Sequence, residues 1–182
     1  MAQFIKMAFS SLYGFSTTYE VKDNSFYKYY HDIDEQHWKR IKNSAILLSN
    51  YDLGPQIKKI VENENEKCHS IEYQIIIPFD AENKYLRPDL TIQQIHEKIS
   101  NLVNQLHSLG YAHGDLHIYN IGFLGKKLYL LDPDSIFKID EGQVEWISLW
   151  MKNGFEWTGS FEDFVEHDYH NWKSDWLNPL EI

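Results

Sequence analysis

The sequence predicts an α+β protein in two parts, a strand-rich first half and a second half led by a long helix. Three observations carry this expectation. Residues 3–30 mix aromatic, Thr and Val residues with turn signals, the composition of short antiparallel strands. Residues 91–110, TIQQIHEKISNLVNQLHSLG, hold one apolar stripe at helical spacing, opened by Thr91 and closed by Gly110. Between them DAENKYLRPD is polar and carries a proline, as a linker does. The expected division is residues 1–80, a linker over 81–90, and residues 91–182.

Element by element, QFIKMAFSSLYGFSTTYEVKDNSFYKYY predicts two or three strands, with KDNS at 22–25 as a hairpin turn. DIDEQHWKRIKNSAILLSNY has apolar Ile33, Trp38, Ile41, Ala45 and Leu48, with Asp and Glu in its first turn, so an amphipathic helix follows. LGPQ ends it. IKKIV and SIEYQIIIPF read as two more strands, joined by the polar loop ENENEKCH. The next helix carries Ile92, Ile95, Ile99, Leu102, Val103, Leu106 and Leu109 as its stripe, with Gly110 as its C-terminal cap. A polar loop comes directly after it. YNIGF and KLYLLD then form a tight hairpin turning at LGKK, and the remainder is expected to be helical in pieces.

Composition excludes several classes. A chain that is 43% apolar and 15% aromatic has enough material for a core, which argues against global disorder. A formal net charge of -10 argues against a broad nucleic-acid or anionic-membrane surface. Cys68 is the only cysteine, so no intramolecular disulfide and no cysteine-built zinc site is expected, which fits a reducing compartment. No apolar run approaches the roughly 20 residues that cross a bilayer. The opening MAQFIKMAFSSLYGF lacks an apolar core with a cleavage site, so no signal peptide is expected.

The chemistry concentrates in HSLGYAHGDLHIYNIGF, residues 107–123, where His113, Asp115, His117 and Asn120 crowd between apolar segments. HGDLHIYN resembles the catalytic loop of the protein-kinase-like superfamily, H-x-D-L-x-x-x-N, and LYLLDPD resembles its metal-binding segment, usually D-F-G. Asn120 lies five residues after Asp115, as in that motif, and Asp132 lies twelve further on, which a short hairpin spans. The resemblance implies a two-lobed kinase-like fold with a β-rich N-lobe and a truncated helical C-lobe. It implies ATP and magnesium, or manganese, as cofactors. Asp115 would accept the acceptor's hydroxyl proton, Asn120 and Asp132 would supply hard oxygens to the metal, and His113 would tie the loop to the metal-binding segment. Lys28, in SFYKYY, stands where the family keeps the lysine that holds the α- and β-phosphates, and Glu35 is the glutamate available to pair with it. Gly14, in SSLYGFST, would belong to a phosphate-covering turn, although no G-x-G-x-x-G is present. A lysine in an aromatic strand can also be a solvated edge residue, the plainer account of Lys28.

Pro133 and Asp134 replace the usual Phe and Gly, and fifty residues follow Asp132, fewer than a typical kinase C-lobe needs. In this the chain resembles the compact OspG-like effector kinases of bacteria, with Asp168 in EHDYHNW propping the catalytic loop. That resemblance implies a protein kinase acting on Ser or Thr, in the cytoplasm or a host cytosol. Two other functions stay open. HGDLH, with Gly114 and His117, is also similar to aminoglycoside, choline and lipopolysaccharide-core kinases, which phosphorylate small molecules. A pseudokinase acting as a binding module is the other. Expected partners are a protein substrate and an activating protein docked on the truncated C-lobe through Trp146, Trp150, Trp157, Trp172 and Trp176, unless these tryptophans serve internal packing. No nucleic acid is expected.

Overall fold

The computed structural model describes residues 9–10, 14–63, 68–78, 89–114, 116 and 120–139. The chain divides into two compact units, Met1–Ile76 and Ile77–Ile182. The mix of helices and strands is that of an α+β protein. Residues 79–88, most of the expected linker, lie outside the described residues. So do residues 140–182, with Asp168 and the five tail tryptophans.

The first unit is an antiparallel sheet of β1 (Phe9–Ser10), β2 (Ser16–Lys22), β3 (Ser25–His31), β4 (Ile57–Val61) and β5 (Cys68–Gln74), ordered β1-β2-β3-β5-β4. The β2–β3 turn falls where KDNS predicts it. Lys22 pairs with Ser25, and Asp23 and Asn24 take φ of 48° and 62°. A two-residue hairpin needs left-handed backbone at its centre, and the short side chains of Asp and Asn tolerate it.

Helix α1 (Glu35–Asn50) starts at Asp34, whose Oδ1 accepts the His37 N–H at 2.9 Å. That bond satisfies one of the amide groups a helix start leaves without a partner. Ile33, expected within the helix, instead sits just before the cap. It belongs to the same core cluster as Trp38, the fourth helical residue, the pairing of a hydrophobic staple that fixes how the chain enters the helix. The cluster also holds Phe15, Tyr30, Ile41, Ala45, Ile71 and Tyr73. At the far end, Ser49 Oγ accepts the Ile57 N–H at 3.1 Å and joins the helix to β4.

Two sequence readings are corrected here. Cys68 and His69 belong to β5 rather than to the connecting loop, because His69, Ile71 and Tyr73 alternate inward on one face. SIEYQIIIPF is not one strand. β5 ends at Gln74, and β6 (Ile77–Pro78) pairs with a different sheet.

In the second unit, α2 (Ile92–Ser108) opens with a capping box. Thr91 Oγ1 accepts the Gln94 N–H at 3.2 Å, and Gln94 Oε1 accepts the Thr91 N–H at 2.9 Å. Ile95, Ile99, Val103 and Leu106 are buried, and Gly110 follows the helix at φ 82°. α2 packs on β7 (Tyr111–His113) and β9 (Lys127–Leu130). β8 (Ile121–Leu124) and β9 form the expected hairpin, joined by Gly125 and Lys126, with β6 on its outer side. β7 pairs with β10 (Ile136–Lys138), a two-stranded ribbon absent from the sequence reading, which placed only a polar loop at 111–113. Among the described residues no helix is long and apolar enough to cross a membrane.

Candidate functional site

The second unit draws its chemistry-bearing residues together through three backbone-anchored bonds. His113 closes β7, and its ring is fully buried. Its Nε2 lies 2.9 Å from the Leu131 carbonyl. A carbonyl only accepts, so Nε2 carries the proton. The ring therefore ties the start of HGDLHIYN to the residue before Asp132. From the other side, Leu131 N–H donates to the Asn120 carbonyl at 2.8 Å. This bond extends the β8–β9 register, in which Ile121 faces Leu130, by one more pair. Asn120 thus stands opposite Leu131, next to Asp132, at the open end of the hairpin. The third bond runs from Gly114 N–H to the Ser135 carbonyl at 2.8 Å and continues the β7–β10 ribbon toward Asp115. Asp115 and His117 themselves lie outside the described residues.

Asp132 takes φ 57° and ψ 71° and caps a single 3-10 turn, Pro133–Ser135. Left-handed backbone is uncommon for a residue with a side chain. It is not decisive alone, since Asp23, Asn24, Asp32 and Asp52 share it. What sets Asp132 apart is that it directly follows Leu131, which the His113 and Asn120 bonds hold through its carbonyl and its N–H. Its Oδ2 also accepts the Ser135 hydroxyl at 3.1 Å. Ser135 was not singled out in the sequence. Its signal was D-P-D-S, where Asp, Pro and Ser are turn formers and Ser lies within reach of the leading Asp.

Among the described residues no group of three or more His, Cys, Asp or Glu side chains could hold a metal ion. Magnesium makes a smaller demand: it keeps several waters and takes one or two protein oxygens beside substrate phosphates. Asn120 and Asp132, both half-buried at one hairpin end, are a donor set of that size and hardness.

In the first unit Lys28 lies on β3, the central strand, between Tyr19 of β2 and Ile71 of β5. It is 3% exposed, so it is not a solvated edge residue. Alternation puts it on the same face as Tyr30, whose ring meets that of Trp38 of α1 in a tilted arrangement with centroids 5.6 Å apart. Its Nζ lies 5.3 Å from the Tyr30 ring and 5.6 Å from the Tyr19 ring. Burying an ammonium is costly, and aromatic faces offset only part of the cost. Glu35, the first residue of α1, is exposed. Gly14 is exposed in the β1–β2 connection at φ 83°, with open space where a Cβ would stand.

Glu20, Lys22, Tyr27, Tyr29 and Glu72, whose titration is displaced, lie on the opposite face of this sheet. Hydrogen bonds from Tyr29 and then Lys22 hold Glu20 below the usual carboxylate range. A hydrogen bond from Ser25 does the same for Glu72. Burial raises the Tyr29 phenol. Displaced values often mark functional sites. Here the groups are one another's partners on a partly open sheet, which accounts for them as structure.

No family model matches the chain. It is similar over 43 residues, 24% of its length, to a probable bifunctional tRNA threonylcarbamoyladenosine biosynthesis protein of Methanosarcina barkeri, with 49% identity. A protein of the same description from Methanosarcina acetivorans is 44% identical over 43 residues. The chain spans about 8% of the length of each. This is a short shared stretch and does not establish a family.

Proposed function

We propose that this chain is an ATP-dependent phosphotransferase of the protein-kinase-like kind, acting on an alcohol oxygen. The observation that carries the reading is the tethering of Asp132: His113 and Asn120 hold Leu131 from two sides, and Asp132 follows in a left-handed turn. A segment fixed this firmly, ending in a half-buried carboxylate, suits a reaction that depends on positioning and charge stabilisation. The buried Lys28 adds a desolvated cation on a rigid strand, suited to hold phosphate oxygens. The stretch shared with the two Methanosarcina proteins is too small a part of them to bring their role in tRNA modification to this chain.

In this reading Asp115 receives the acceptor's proton as its oxygen bonds to the γ-phosphorus. The bond from that phosphorus to the β–γ bridging oxygen breaks, and ADP leaves. The kinase-like resemblance assigns the α- and β-phosphates to Lys28. Asn120 and Asp132 would hold magnesium or manganese, which neutralises charge on the phosphates when bound. His113 holds the loop in register and takes no part in the proton transfer.

The test is incubation with γ-labelled ATP and magnesium against a panel of proteins and small alcohols. Label on protein Ser or Thr is the expected result. Label on an aminoglycoside or sugar alcohol would move the acceptor to the small-molecule class. Nucleotide binding without transfer to anything would leave a pseudokinase and overturn the catalytic reading.

A further inference from the structure

We infer that Ser135 is a positioning residue for the Asp132 carboxylate, an inference that rests on the phosphotransferase reading. A carboxylate on two rotatable bonds does not by itself present an oxygen in one direction. The turn Pro133–Ser135 supplies the constraint. In a 3-10 turn, residues three apart come into line, so Ser135 returns over Asp132. Its hydroxyl donates to Asp132 Oδ2 at 3.1 Å. Fixing one carboxylate oxygen fixes the direction of the other, the oxygen a metal would take. A hydroxyl donor to a metal-binding carboxylate is the kind of outer partner that tunes metal affinity.

The backbone of Ser135 does separate work. Its N–H donates to the Asp132 carbonyl at 3.1 Å, and its carbonyl accepts the Gly114 N–H at 2.8 Å. Neither bond uses the side chain. Removing the hydroxyl therefore leaves the turn closed and the loop tied, while Oδ2 of the carboxylate loses the Ser135 donor. A hydroxyl that served the fold alone would do the reverse, lowering stability and leaving metal affinity untouched.

The experiment is Mn2+ binding in the presence of ATP, followed by electron paramagnetic resonance on the full chain. Wild type, Ser135→Ala, Ser135→Cys, Ser135→Thr and Asp132→Ala are compared, with thermal melts alongside. Ser135→Ala and Ser135→Cys are expected to weaken Mn2+ binding by about tenfold at unchanged melting temperature. Ser135→Thr, which keeps the hydroxyl, is expected to bind as wild type does. The Cys variant keeps the side-chain size with a weaker donor, so it carries the test if the Ala variant does not fold. Mn2+ binding that depends on Asp132 but is equal in wild type and Ser135→Cys would overturn the role of Ser135 and leave the phosphotransferase reading intact. Mn2+ binding that is absent in wild type, or unchanged in Asp132→Ala, would overturn both.

Discussion

At Asp132 the backbone and the side chain make different demands. The turn closes through the Ser135 N–H to the Asp132 carbonyl, whereas the carboxylate accepts from the Ser135 hydroxyl. Asp132→Ala is therefore expected to abolish phosphotransfer while the circular dichroism spectrum stays native. Equal turnover of mutant and wild type would remove the metal assignment. Asp115→Ala should lower the transfer rate by roughly 10²–10⁴ with little change in ATP affinity, since the proposed reaction assigns this residue to the acceptor's proton rather than to ATP. Lys28 makes a sharper case, because its surroundings are described. Its Nζ lies near the Tyr19 and Tyr30 rings as a compact point charge, which a larger planar guanidinium does not reproduce in reach or shape. Lys28→Ala should weaken ATP use, and Lys28→Arg should not restore it. Equilibrium ATP binding checks both. Lys28, His113, Asn120 and Asp132 were legible as types at a spacing. The Leu131 carbonyl and the Ser135 hydroxyl were not, because a backbone acceptor carries no residue signature and a serine in a turn is ordinary.

The two helices are capped by different chemistry, and that difference is measurable. Asp34 caps α1 with a carboxylate held below its ordinary value by the His37 backbone N–H and, after it, the His37 ring. A lowered carboxylate contributes stability above its unfolded value of 3.8 and loses it as pH falls through the lower folded value. Thr91 caps α2 with a hydroxyl, which does not titrate. Each change to alanine should cost about 1 kcal/mol at neutral pH. In acid the Asp34→Ala deficit should shrink and the Thr91→Ala deficit should stay. Denaturant melts at both pH values decide it. At this scale the long elements were readable, because α1 and α2 repeat their pattern over several turns. β7 and β10, three residues each, show no period to detect. The split of SIEYQIIIPF was hidden for a related reason. A continuous apolar run gives no sign of where one strand stops and another begins.

On the scale of the molecule, the first unit has a core of its own. Phe15, Tyr30, Ile33, Trp38, Ile41, Ala45, Ile71 and Tyr73 all fall within Met1–Ile76. Residues 1–76 expressed alone are expected to melt cooperatively. Trp38, the only tryptophan in that span, should then show the blue-shifted emission of a buried indole. Emission at the wavelength of free tryptophan would show that this core does not form alone. The sequence placed the division near residue 80, where polar residues begin, whereas the compact units part at Ile76. Polarity marks where a chain leaves its core, but strand pairing decides which unit a residue joins. Ile77 and Pro78, apolar though they are, pair with β8.

The sealed imidazole of His113 gives the second unit a built-in spectroscopic clock. Its Nε2 proton is directed at the Leu131 carbonyl, on a ring with no exposed surface. Such a proton reaches water only when the surrounding structure opens. In a ¹⁵N-edited spectrum it should give a low-field imidazole resonance that survives solvent saturation. Its exchange rate in heavy water would time the opening of the segment that carries Asp132. Ligands that steady that segment should slow the clock, whether or not any phosphate is transferred.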